Sequence, residues 1–408
     1  MNIVHITPRF APQFEGGTEA VVRAQARELA HLGHRVRVIS GSEFPHAGSD
    51  VETATVDGLE VSFLRRHADE PYDFDLVRPR IAGLVRTLTL GADLVHIHQW
   101  STLHAALARE ARVPVVATLH DLFPSCPRYF RIPADPALVC PPPGEFETCV
   151  RCVQPDTGWS VTELRAGFVR RHAWITAELA ALRALVVPSR STGEILARYV
   201  PLDLKKLHHV PHGLSRALAR VVTDGWHGAG PLRVLFLGHR TRLKGVADLA
   251  RAAALLPEAE RGRVELVFLG DELERGLDAE LASLAGGARV VFAGNYELDG
   301  LAERVRTLLP LHLGAFPSRA HETYGLVPDE LRALGLPVWV TERGAPRERL
   351  GAEGRVLAAE DPAAWCAALL AVLRDPAALE RERAALPPRA RLAADAVREL
   401  DALYRTLL

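Results

Sequence analysis

The chain is poor in lysine, methionine and cysteine, and it has neither a charge excess nor a long apolar run. Lysine occurs only at 205, 206 and 244 and methionine only at position 1. With abundant alanine, that bias reads as GC-rich codon usage rather than mechanism. The 49 Lys and Arg residues are balanced by 50 Asp and Glu, leaving a net charge of −1. A dedicated nucleic-acid binder rests its affinity on a large basic excess, so no nucleic-acid partner is expected. No apolar run approaches the roughly 18–20 residues a membrane helix needs. The N-terminus, Met1-Asn2-Ile3-Val4-His5-Ile6, has no basic segment ahead of a strand-like run, so a cytoplasmic protein is expected.

What is present is a globular composition, 48% hydrophobic and 24% charged over 408 residues. A single core seldom grows past about 250–300 residues, which predicts two domains. Short apolar runs at 3–7, 36–40, 94–98, 115–119 and 185–187 suit strands buried on both faces. Helix-length segments at 18–32, 75–90, 101–112 and 160–183 lie between them. The pattern breaks over 211–231, dense in turn formers, and the flanking loops 41–58 and 122–158 carry no readable period. It restarts with runs at 232–237, 264–269, 289–292, 311–316 and 337–340, and a last helix follows Pro387-Pro388 over 389–408. Such alternation predicts an α/β protein of two doubly wound, parallel-sheet units. The expected boundaries are 1–205 with helix 389–408, a linker at 206–230, and 231–387.

The richest chemical signal is Pro317-Ser318-Arg319-Ala320-His321-Glu322-Thr323-Tyr324-Gly325-Leu326, followed by Glu330. It starts where a strand ends and a helix begins, the edge at which open α/β sheets bind ligands. Unpaired amides at a helix start favour negative charge, so Thr323 to Leu326 suit a phosphate. Glu322 and Glu330 suit the vicinal hydroxyls of a sugar and a ribose. Two isolated glutamates would more often be a solvated helix face. Gly238-His239-Arg240-Thr241-Arg242-Leu243-Lys244-Gly245 follows another strand. Its glycines let backbone approach a pyrophosphate, and Lys244 departs from an arginine default.

The Glu-x7-Glu spacing of Glu322 and Glu330, within a Ser-x-x-x-Glu-x-x-Gly frame and followed by Leu334-Gly335-Leu336-Pro337-Val338, closely resembles the nucleotide-sugar site of family 4 retaining glycosyltransferases. Gly16-Gly17-Thr18-Glu19, Leu32-Gly33-His34-Arg35-Val36, Leu119-His120-Asp121 with Cys126-Pro127-Arg128, Gly238 to Gly245, and Gly344 to Glu348 extend the resemblance over nearly the whole chain. It implies the GT-B fold, two Rossmann-like domains facing each other across a cleft. It implies transfer of a sugar, with retention, from a UDP-, GDP- or ADP-linked donor to a glycan, lipid-linked or small-molecule hydroxyl acceptor. No catalytic metal is expected. His120, Lys244 and Glu322 are implied as catalytic; Gly16, Gly17, Gly238, Arg240, Asn295, Thr323, Tyr324, Gly325, Leu326 and Glu330 join Lys244 and Glu322 around the donor. The family has Arg where His239 stands, so either Arg240 takes the phosphate from a shifted register or the second cation is lost. The competing readings are a nucleotide-sugar epimerase on the same fold and a non-catalytic sugar-nucleotide-binding protein.

Four of the five cysteines cluster at Cys126, Cys140, Cys149 and Cys152. Clustered thiols in a reducing compartment suggest structural zinc, and the alternative is four small buried hydrophobes. Cys366 is expected in the core of a late helix. Segment 159–183 mixes Trp159, Phe168 and Trp174 with Arg165, Arg170, Arg171 and His172. It reads as a domain helix with a basic face, and the second reading is peripheral contact with the inner membrane surface or an anionic acceptor.

Overall fold

The computed structural model describes residues 1–14, 16–43, 49–65, 72, 74, 76–99, 107–135 and 137–408. Contacts divide the chain into two units, Met1–Ser215 with Leu392–Leu408, and Arg216–Arg391.

In the first unit eight strands form one sheet: β1 (Asn2–Thr7), β2 (Arg35–Ser42), β3 (Val51–Val56), β4 (Leu59–Arg65), β5 (Leu94–His98), β6 (Val115–Thr118), β7 (Ala184–Val187) and β8 (Leu207–His209). Their order is β3-β4-β2-β1-β5-β6-β7-β8. All neighbours run parallel except β3 and β4. The helices are α1 (Gly17–His31), α2 (Pro79–Leu88), α3 (Leu107–Glu110), α4 (Glu147–Val153), α5 (Val161–Ala181) and α6 (Arg190–Tyr199). Strand residues alternate between two cores, as a sheet covered on both faces requires. Val4, Ile6, Val95 and Ile97 pack with Ile175 and Leu179 of α5. Ile3, Val38 and Leu94 pack with Val22 and Leu29 of α1 and, across the sequence, with Val397, Leu400 and Tyr404.

The second unit holds β9 (Leu232–Leu237), β10 (Val264–Leu269), β11 (Arg289–Phe292), β12 (Leu313–Phe316), β13 (Val338–Thr341) and β14 (Gly354–Leu357). They form a parallel sheet in the order β11-β10-β9-β12-β13-β14. Helices α7 (Val246–Ala254), α8 (Glu258–Arg261), α9 (Leu277–Leu284), α10 (Leu301–Arg306), α11 (Val327–Leu334), α12 (Pro362–Arg374) and α13 (Pro376–Ala384) cover it. The closing helix α14 (Ala393–Leu407) returns to the first unit. No single described helix is long and apolar enough to cross a membrane.

Four strands depart from the sequence reading: β4 (Leu59–Arg65) answers to none of the apolar runs, nor do β3, β8 and β14. The loop region 41–58 contains β3, which pairs antiparallel with β4. Asp57 and Gly58 both have positive φ, the two-residue turn that closes such a hairpin. β8 lies inside the expected linker 206–230; three residues are too few to show a period. β14, a partly exposed edge strand holding Gly354 and Arg355, carries no apolar run to mark it. Asp75 and residues 101–106 of the two expected helices lie outside the described residues, and the remainder are α2 and α3. Cys366 lies on α12, partly buried against the second unit's core.

In each sheet the strand order reverses at one place, between β1 and β5 and between β9 and β12. Loops leaving the carboxyl ends of strands flanking such a point diverge and open a crevice. The segments after β9 and β12 are the two richest in candidate residues.

Candidate functional site

After β9 the chain makes a single 3-10 turn, Arg242–Lys244, capped by Thr241. It passes through Gly245 at φ +71° into α7. A Cβ at 245 would stand 1.8 Å from the Pro317 carbonyl oxygen, so only glycine lets this loop meet the one after β12. The Arg319 amide donates to the Leu243 carbonyl at 2.9 Å, closing the same junction.

That junction brings Lys244 to Glu322. The ammonium donates to Oε1 at 2.6 Å, and the Ser318 hydroxyl donates to the same oxygen at 2.7 Å. Glu322 is held from below by a backbone bridge to Gly344. There φ is +78° and a Cβ would lie 2.4 Å from the Glu322 carbonyl oxygen. Glu322 and Thr323 are buried, while the Lys244 side chain is about one-third exposed at 31%.

α11 opens after Thr323 to Leu326 with no side-chain cap. Glu330, one turn in, is 6% exposed and its Oε2 has no hydrogen-bond partner. Burial, with the Asp329 charge beside it, raises its pKa to about 7. A buried carboxylate oxygen without a donor costs free energy unless a ligand supplies one. Tyr296 lies near enough for the Glu330 charge to join burial in raising its pKa. Asn295 is exposed and accepts from the Tyr296 amide at 2.7 Å.

Arg240, expected at the donor phosphate unless the second cation is lost, is engaged within its own unit. It is 3% exposed, and its guanidinium donates to both Asp278 oxygens at 2.6 and 2.8 Å and to the Gly270 carbonyl. Its charge is spent on α9. Gly238 has φ +114° and His239 is exposed. Sequence reasoning missed Arg349, which lies 3.7 Å over the Tyr324 ring, donates to the Gly325 carbonyl at 2.8 Å and pairs with Asp329 at 3.3 Å. Its place next to the Gly344 turn was the available signal.

The remaining candidates belong to the first unit. Gly16 is the N-cap of α1, with extended backbone, and a Cβ there would stand 2.6 Å from Glu19 Oε2. A Cβ at Gly17 would meet nothing within 4 Å. His120 lies two residues past the end of β6 with both ring nitrogens engaged: Nε2 with His98 Nδ1 at 3.1 Å and Nδ1 with His212 Nε2 at 3.2 Å. His98 Nε2 reaches His5 Nδ1 at 2.8 Å. Burial lowers the pKa values of His5 and His120 to about 3, so these imidazoles are neutral at physiological pH. His5, His98 and His212 were not anticipated, although imidazoles inside otherwise apolar strands were visible. His5, His96 and His98 are, among the described residues, the group whose potential ligand atoms all lie within 4.8 Å of one another. His96 already bonds Tyr404 and Thr118, and His98 bonds His5 and His120, which accounts for these as core hydrogen bonds.

Cys126, Cys140, Cys149 and Cys152 line a separate pocket under segment 124–146. In α5, Arg165 pairs with Glu147, and buried Arg171 donates to the Phe123 and Pro124 carbonyls. Arg165 and Arg171 of the expected basic face therefore have partners within the chain.

The family model Glycosyltransferase Family 4 matches residues 15–217, and the model Glycosyl transferases group 1 matches residues 231–375. A D-inositol 3-phosphate glycosyltransferase of Catenulispora acidiphila is 29% identical over 96% of this chain and 91% of its own length. The glycogen synthase of Mycobacterium tuberculosis is 26% identical over 97% of this chain and 91% of its own. Among solved structures, Anabaena HepE in complex with UDP-glucose superposes with a TM-score of 0.64 at 16% identity over the full length of both chains. With both halves matched in order, this chain belongs to the family 4 glycosyltransferases and has their GT-B fold.

Proposed function

We propose that this glycosyltransferase takes a sugar from a nucleoside diphosphate sugar and joins it, with retained anomeric configuration, to a hydroxyl of a glycan, lipid-linked or small-molecule acceptor. The observation that carries the reading is Glu330, a buried carboxylate with an unpartnered oxygen at the switch point of the second sheet. A ribose hydroxyl would supply the donor that this oxygen lacks.

The other roles follow from charge. Lys244 and the amides of Thr323 to Leu326 meet the diphosphate, so this reading requires no divalent metal there. Once Lys244 turns to the phosphate, Glu322 accepts hydrogen bonds from the hydroxyls of the transferred sugar. The bond from the anomeric carbon to the phosphate oxygen breaks as the bond to the acceptor oxygen forms on the same face. The acceptor proton passes to the departing diphosphate, so no side chain is needed as base. His120 and the Gly16-Gly17 turn carry the first unit's part, as the family resemblance assigns them.

Negative charge on the leaving group grows during the reaction, so Lys244 contributes more to the transition state than to donor binding. Lys244→Ala is expected to lower kcat by the equivalent of about 2–4 kcal/mol and to raise the donor KM much less. Proton NMR of the first-formed product should show the donor's anomeric configuration. Inverted product, or a Lys244→Ala enzyme with full kcat, would contradict the mechanism.

A further inference from the structure

Segment 124–146 connects the strand-end His120-Asp121 to α4 with neither helix nor strand among its described residues. Seven of its 23 residues are proline, which removes amides that backbone hydrogen bonding would need. Side chains hold its first part, Arg128 reaching Asp156 and the Ile132 carbonyl and Arg131 the Ser125 carbonyl.

The four clustered cysteines sit where a further hold would act. Cys149 and Cys152 are three apart on α4 and so share a helix face. Cys126 lies in the turn whose amide donates to the Leu122 carbonyl at 3.0 Å. Cys140 Sγ approaches the Arg131 carbonyl at 3.7 Å, and the Ala134 amide donates to Cys152 Sγ at 3.4 Å. All four line one pocket, and all four are free thiols.

A second observation concerns Arg171. It lines the same pocket, is 4% exposed, and its Nε has no hydrogen-bond partner. Arg128 and Arg131 line the pocket too. A zinc tetrathiolate carries a net charge of about −2, and outer-shell N–H donors to its sulfurs are the usual complement. An orphaned buried guanidinium donor suits that anion, whereas four neutral thiols leave it unexplained.

We propose that Cys126, Cys140, Cys149 and Cys152 hold a structural zinc ion that fastens segment 124–146 to α4. Among the described residues no three of these sulfurs lie within 4.8 Å of one another. Zinc capture at Zn–S distances of about 2.3 Å therefore draws the segment inward. The site depends on none of the roles assigned to the donor residues.

The test is elemental analysis of the full-length protein, purified under reducing conditions from zinc-supplemented medium without chelator. About one zinc per chain is expected, kept in Cys366→Ser and lost in Cys149→Ser/Cys152→Ser. Stripping the metal from the wild-type protein should speed proteolysis within 131–146. Less than about a tenth of a zinc per chain in the wild type would overturn the proposal, as that is far below one four-ligand site. Iron in place of zinc, or zinc retained by the double variant, would overturn it as well.

Discussion

A carboxylate buried like that of Glu330 is a cost the folded chain carries. Its pKa stands near 7 against an ordinary 4.5 because burial disfavours the charged form. Between those values the native state binds the proton and the unfolded chain releases it. Stability therefore falls as pH rises through that window, by about 3 kcal/mol in full. Glu330→Gln removes the penalty. Thermal unfolding should find the variant more stable than wild type at pH 8 and equal to it at pH 4, and the reverse trend would refute the assignment. The residues of this site were legible in the sequence because glycines and acids at fixed spacing repeat a known frame. Arg240 was not, since its partner Asp278 lies 38 positions away and no local spacing announces it. The histidine ladder His5–His98–His120–His212 was hidden for the same reason: strand pairing brings it together, and the sequence alone does not state that pairing.

Arg240 matters at the scale of elements, where it fastens the loop after β9 to α9. Removing one partner of a buried ion pair leaves the other charge uncompensated, at about 3–5 kcal/mol. Asp278→Ala, which strands the buried guanidinium, should lower the unfolding free energy by about 3 kcal/mol, Arg240→Ala, which leaves the quarter-exposed Asp278 to hydrate, by less, and the double variant by less than their sum. Donor affinity of the folded protein should be unchanged in both. An affinity loss confined to Arg240→Ala would restore the phosphate role. Long elements were the readable ones: α1 and α14 show an apolar stripe, and the central strands are mostly apolar because both faces are covered, with His5, His96 and His98 the exceptions. The edge strand β3, whose middle three residues are exposed and whose ends are only half-buried, and the edge strands β8 and β14 offered no such contrast. The Asp57-Gly58 turn was the one available cue to the hairpin.

At the scale of the molecule, two sheets are each wound in both directions from a single reversal, and function in the second unit follows from what its two central loops carry. Lys244 arrives from one loop, Glu322 from the other and Glu330 from α11 beyond it, and Gly245 permits the contact between the two loops. The central claim is that these three groups hold a nucleotide sugar. Thermal unfolding of the wild type and Glu330→Gln with UDP-, GDP- and ADP-sugars tests it most directly. At a hundredfold its dissociation constant the cognate donor should stabilise the wild type by about 2.7 kcal/mol. The variant should lose most of that gain. Stabilisation by none of the three donors, or an equal gain in the variant, would contradict the account.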